Sequence, residues 1–203
     1  MSGWLAGARL LQCGEGGTVR QVAESLAAAG ASIYRSAIGP GGEGAIAQDF
    51  DMAEAALGGG IDLLLHGGSS FASRRAEATD LVAWRAGVSA DIDRRFLQSA
   101  EFARRCIAGG RHGSILFLMP GLVRTAGRLE QATAHGALEN LVKSLAVEWA
   151  RDGIRINAIA SRACEAVPGS DPALANSLGN LAAYLLSDYA AYVSGTIMGV
   201  DEI

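Results

Sequence analysis

Residues 131–160, QATAHGALENLVKSLAVEWARDGIRINAIA, constrain the fold most, because one uninterrupted stretch encodes a long helix, a stop and a buried strand. Placed at 100° per residue, Ala134, Ala137, Leu138, Leu141, Val142, Leu145, Ala146 and Trp149 cover about half of the helix circumference. That is wider than the stripe an ordinary amphipathic helix buries, so this helix has two surfaces to cover. Glu139 and Lys143 form an i,i+4 pair in the favoured order on the remaining face. Gly153 stands where a left-handed residue ends a helix, and Ile154 to Ala160 follows at once as an apolar strand.

The rest of the chain alternates in the same way. Ala8 to Gln12 is a short apolar run, followed by the glycine-rich CGEGG and a helical pattern from Thr18 to Ala29. Val19, Val22, Ala23 and Leu26 give that helix its inner face, and Gly30 ends it. A strand, a glycine loop and a helix in this order place a pyrophosphate on the helix N-terminus in dinucleotide-binding folds. After a strand at Ala31 to Arg35 comes SAIGPGGEG, and then an apolar run, Ala45 to Ala47, with strand character. Parallel strands need a crossover of a dozen or more residues; only about nine glycine-rich ones stand between these two runs, so the usual crossover helix is expected to be missing. Asp49 then reads as the cap of a helix from Met52 to Leu57.

Ile61 to Leu65 is a continuous apolar strand that ends in His66, Gly67, Gly68 and Ser69. Residues 71 to 87 are a polar, partly helical connection, and a long amphipathic helix runs from about Ser89 to Ala108. Its expected inner face is Ile92, Phe96, Ala100, Ala103 and Ile107, with Arg94, Arg95, Glu101, Arg104 and Arg105 in solvent. Gly113 to Met119 is a further strand, closed by Pro120, and a last helix spans roughly Ala173 to Leu186.

The 203 residues, half of them apolar, suffice for one well-buried domain over 1–203. A net charge of −4 with basic residues in scattered pairs gives no nucleic-acid footprint. Cys13, Cys106 and Cys164 have neither ligand spacing nor an even count, so no disulfide framework and no metal site is expected. No signal peptide and no long apolar span is legible, so the expectation is a cytoplasmic protein without membrane contact.

Five blocks carry a family resemblance: Ile61 to Ser69, Gly113 to Met119, Lys143 to Ala146, Gly153 to Ile159, and Ser187 to Asp201 with its Tyr192, Val193, Gly195, Val200 and Asp201. Together they resemble the short-chain dehydrogenases/reductases over almost the whole chain. The resemblance implies an α/β fold, a doubly wound, mainly parallel, Rossmann-like sheet of about seven strands with helices on both faces. It also implies shortening between strands 2 and 3 and in the substrate loop, where residues 161–172 are a stub.

In that family a Tyr is the general acid/base, a Lys lowers its pKa, a Ser orients the carbonyl and an Asn completes a proton relay. The matching positions here hold Gln131, His135, Pro120 and Asp91. Glutamine has no proton that titrates near neutrality, and proline has neither a hydroxyl nor an N–H. Of the three glycines of the family's cofactor loop only Gly17 is kept, with Cys13 and Val19 at the other two; Gly14 and Gly16 offer a different loop, and Asp49 matches the family's Asp near adenine.

The resemblance, with those positions lost, implies a pseudoenzyme. It would act as a structural or regulatory subunit, as a homo-oligomer or with an active NAD(P)-dependent alcohol or hydroxyacyl-CoA dehydrogenase of the same family. Helices about 89–108 and 131–152 would make the contact, as the over-wide apolar arc suggests. No cofactor is expected, and NAD or NADP if any. One alternative is a repurposed pocket in which His66, Asp91 and His135 bind a small molecule or do non-redox acid/base chemistry. Another is a residual NAD(P)-dependent oxidoreductase, against which Tyr184, Tyr189 and Tyr192 lie far in order from Lys143, the only lysine.

Overall fold

The computed structural model describes residues 3–14, 16–37, 42–67, 71, 74–121, 129–164 and 172–200. Six strands form one parallel sheet in the order β2-β1-β3-β4-β5-β6: β1 (Arg9–Cys13), β2 (Ser32–Arg35), β3 (Leu63–His66), β4 (Gly113–Pro120), β5 (Ile154–Ser161) and β6 (Ile197–Gly199). The longest pairing joins β4 to β5, from Gly113 opposite Ile154 to Pro120 opposite Ser161. Because successive side chains point to opposite faces, each central strand feeds two cores. Ile115, Phe117 and Met119 meet α2 (Glu43–Leu57), α3 (Leu81–Ala108) and α4 (Leu129–Glu148) on one face. Leu116 and Leu118 meet α1 (Gly17–Ala28) and α5 (Pro172–Leu186) on the other.

The six strands among the described residues agree with the expected sheet of about seven, and one expectation changes between β2 and β3: Ala45 to Ala47 lies inside α2. Ile46, Phe50 and Ala53 are buried there at helical spacing, and the left-handed Gly58 at φ 70° ends the helix. The crossover from β2 to β3 is therefore helical. Three apolar residues do not carry enough periodicity to separate the two states, and the flanking glycines favoured the wrong one. Asp49 consequently does not cap a helix at Met52 but sits within α2, 2% exposed.

The long helix α3 starts at Leu81, earlier than Ser89, with the Asp80 carboxylate accepting from the Ala83 N–H at 2.8 Å. Its inner face is rotated from the expected one. Asp91, Arg95, Gln98, Ser99, Phe102, Ala103 and Cys106 are buried, whereas Phe96 and Ile107 are 46% and 47% exposed. The helix carries two stripes, and the one with the larger apolar side chains faces outward. The inward stripe was disguised by charges that neutralise each other inside the protein.

The helix–strand unit at 131–160 forms as its pattern requires. Ala134, Leu138, Val142, Leu145, Ala146 and Trp149 are buried, and Ala137 and Leu141 at the margins of the arc are half-buried. Gly153 takes φ 69°, and the Lys143 ammonium lies 3.8 Å from Glu139 on the outer face. On β5 the Arg155 guanidinium donates to the carbonyls of Leu185, Leu186, Ser187 and Val193, which satisfies the last turn of α5. Among the described residues no helix is long and apolar enough to cross a membrane.

Candidate functional site

The candidate site lies at the carboxyl ends of β1, β3, β4 and β5, the edge where open α/β sheets bind ligands. Arg95 is its centre. The Nε donates to both carboxylate oxygens of Asp91 at 3.1 Å, Nη1 to the His66 carbonyl at 3.3 Å and Nη2 to the Leu118 carbonyl at 2.9 Å. The guanidinium also stands 4.9 Å from the centre of the Phe117 ring, and both charged partners are fully buried. Asp91, the position of the family's relay Asn, is thereby spent on a charge pair that fastens α3 to the ends of β3 and β4. Sequence reasoning placed Arg95 in solvent. The available signal was an Asp and an Arg four residues apart, in the favoured order, on the face that Ser99, Phe102 and Cys106 continue.

His66 ends β3 with no exposure, its Nδ1 2.5 Å from the Gly67 carbonyl. That contact assigns the proton to Nδ1 and leaves Nε2 buried without a partner. Burial, reinforced by the Arg95 charge, lowers its pKa from 6.5 to about 3. Folded His66 thus stays neutral down to about pH 3, while an unfolded chain protonates it near 6.5. The unfolded state binds the extra proton between those values, so stability falls as the pH is lowered through that window, by roughly 1.4 kcal/mol per pH unit. Urea midpoints measured from pH 7 downward are expected to show this slope in the wild type and a shallower one in His66→Asn.

The remaining positions are engaged locally. His135 on α4 is buried, with Nδ1 3.1 Å from the carbonyl of Pro120 at the end of β4. Gln131, one turn earlier, is buried as well. Arg95 therefore joins Asp91 to the His66 backbone, and His135 is turned to Pro120 instead. Among the described residues no three His, Cys, Asp or Glu side chains come together as metal ligands.

The described part of the glycine loop packs closely against the end of β3. Gly14 and Gly16 have φ of 82° and 122°, conformations that favour glycine. Gly14 lies so close to β3 that a Cβ there would stand 2.5 Å from the Gly67 carbonyl oxygen, and the Gly67 N–H donates to the Cys13 carbonyl at 2.8 Å. Val19 fills the space over Gly67, where an added Cβ would come within 2.7 Å of its side chain. Val19 of α1 thus occupies the space that a side chain at position 67, just after β3, would need. Gly17 begins α1, and the buried Thr18 hydroxyl donates to the Ala163 carbonyl after β5. Burial pushes the Asp49 carboxyl up against a hydrogen bond from Ser36, and Asp49 Oδ1 is buried without a partner.

The chain matches the family model described as enoyl-(acyl carrier protein) reductase over residues 6–177. It belongs to the short-chain dehydrogenase/reductase family. Within that family, an uncharacterized oxidoreductase of Caenorhabditis elegans is 26% identical over 180 residues, covering 77% of this chain and 58% of that protein. The chain thus spans less than two thirds of that relative's own length. The (2S)-[(R)-hydroxy(phenyl)methyl]succinyl-CoA dehydrogenase subunit BbsC of Thauera aromatica is 27% identical over 211 residues, 92% of this chain and 80% of that protein. Among solved structures, a short-chain type dehydrogenase/reductase from Mycobacterium marinum superposes with a TM-score of 0.86 over 97% of this chain and 94% of that one. At 20% identity that likeness is one of fold.

Proposed function

We propose that this short-chain dehydrogenase/reductase is a non-catalytic subunit that supports an active dehydrogenase of the same family. The observation that carries the reading is the fate of the four relay positions. Asp91 is paired with Arg95, His135 Nδ1 is turned to the Pro120 carbonyl, and Gln131 offers no titrating proton, so the family's Tyr–Lys acid/base pair has no counterpart at these positions. The sequence relative from Thauera aromatica is itself named as a subunit of an acyl-CoA-type dehydrogenase, which favours a partner acting on a hydroxyacyl-CoA.

What supports an assembly is the outward stripe of α3, where Phe96 and Ile107 are exposed and Ile92 and Ala100 in the same stripe are half-buried. Large apolar side chains aligned on one helix face are what a subunit contact covers. The partner can be a second copy or the active subunit, and the protein's native mass separates these.

The test is a native-mass measurement on protein purified from its own cells, with co-eluting chains identified and NAD(P)H binding assayed on the same sample. The expected result is a fixed-ratio complex with a dehydrogenase that keeps its Tyr and Lys, and all nucleotide bound to that partner. A lone chain that binds NAD(P)H tightly and turns over a carbonyl or alcohol would end this reading and return attention to His66, Asp91 and His135.

A further inference from the structure

We propose that the cavity at the amino ends of β3, β4 and β5 binds a small organic ammonium ion with a flat apolar body. It lies at the sheet edge opposite the candidate site, so it stands or falls independently of the subunit reading. The cavity measures about 490 Å³, inside the range of about 300–1,000 Å³ that small-molecule sites occupy. Its walls are the N-terminal turn around Trp4, the starts of the three strands and the segment that follows α5.

The charged groups in these walls decide which ligand fits. Asp62 accepts from Arg9 Nε at 2.9 Å and from Nη2 at 3.0 Å, so it is already matched. Arg155 spends both terminal nitrogens on four backbone carbonyls around the end of α5, with which an anion would have to compete. Asp188 is different. Among the described residues its carboxylate has no ion-pair partner in contact, and its charge acts on Arg155 only from a longer distance. It stands exposed just after α5, whose carbonyl end adds partial negative charge at the same wall. Two aromatic side chains line the cavity with it: Trp4, whose ring lies 5.0 Å from that of Tyr189, and the fully exposed Tyr192. Ring faces attract cations and cover flat apolar groups. A carboxylate beside two rings therefore suits an ammonium group on an aromatic or similarly flat body.

Titration of the isotope-labelled full chain with phenethylammonium at neutral pH, followed by NMR, tests this against the uncharged analogue 2-phenylethanol. Exposed ion pairs and cation–π contacts are individually weak, so half-saturation is expected in the millimolar range. Saturating shifts should appear at the Trp4 indole N–H and the Ser187 to Ala191 amides, with the Trp84 indole unmoved. The alcohol should bind roughly fivefold more weakly than the amine. Asp188→Asn should bring the amine to the alcohol's level and leave the alcohol unchanged. Shifts at Trp4 that do not saturate, or equal affinity for amine and alcohol, would overturn the site, and both are read in the wild type. An amine preference that survives Asp188→Asn would overturn it as well. None of these outcomes alters the native-mass result, so the cavity and the subunit role can fail separately.

Discussion

Arg95→Met is expected to lower the melting temperature by on the order of 10 °C. Removing one partner of a buried ion pair strands the other charge, a loss of about 3–5 kcal/mol, and a domain of this length shifts by about 2–4 °C per kcal/mol. Arg95 also satisfies the carbonyls of His66 and Leu118, which the thioether cannot. The double variant Asp91→Leu with Arg95→Met should recover much of the loss, because no charge is then left in the core. Thermal melts followed by circular dichroism at one fixed protein concentration measure both. A single variant that melts within about 2 °C of the wild type would mean that Asp91 is discharged by another route.

Phe96→Glu combined with Ile107→Glu is expected to break the assembly while the subunit stays folded. Each side chain is about half exposed in the isolated chain, so a carboxylate there meets water and disturbs little. Buried in an interface, the two carboxylates would be desolvated without partners, and even about 3 kcal/mol raises a dissociation constant roughly a hundredfold. Analytical ultracentrifugation should show the mass fall to that of one 20.9 kDa chain with an unchanged melting curve in the far ultraviolet. An unaltered mass would move the contact away from α3.

The parts of the fold that could be read from the chain are those with a long period. Residues 131–160 carry enough repeats to specify a helix, its stop and its strand, and each formed as the pattern requires. Ala45 to Ala47 is too short for that, and only packing of Ile46 and Phe50 under the sheet selects the helix. The inward face of α3 was hidden for a different reason. A hydrophobicity pattern counts Asp91 and Arg95 as surface, yet a pair that satisfies itself is buried as one nearly neutral unit.

The site divides along the same line. Which residues occupy the relay positions was legible, since alignment on a motif needs only identity. What they do instead was not, because Arg95, Thr18 and Gly67 act through carbonyl groups, which every residue has and no sequence pattern marks. Arg95 reaches both the His66 carbonyl and the Asp91 carboxylate. The group that joins them was the one assigned to solvent.

The packing of Val19 against Gly67 couples the two positions. Restoring a side chain at position 67 alone drives its Cβ to within 2.7 Å of Val19. Restoring glycine at position 19 alone leaves a hole in the core and an unfavourable residue in a helix. Each first step back is worse than standing still, so the two substitutions work as a ratchet. Only a paired change at positions 19 and 67 would alter the space at this point without a clash or a hole.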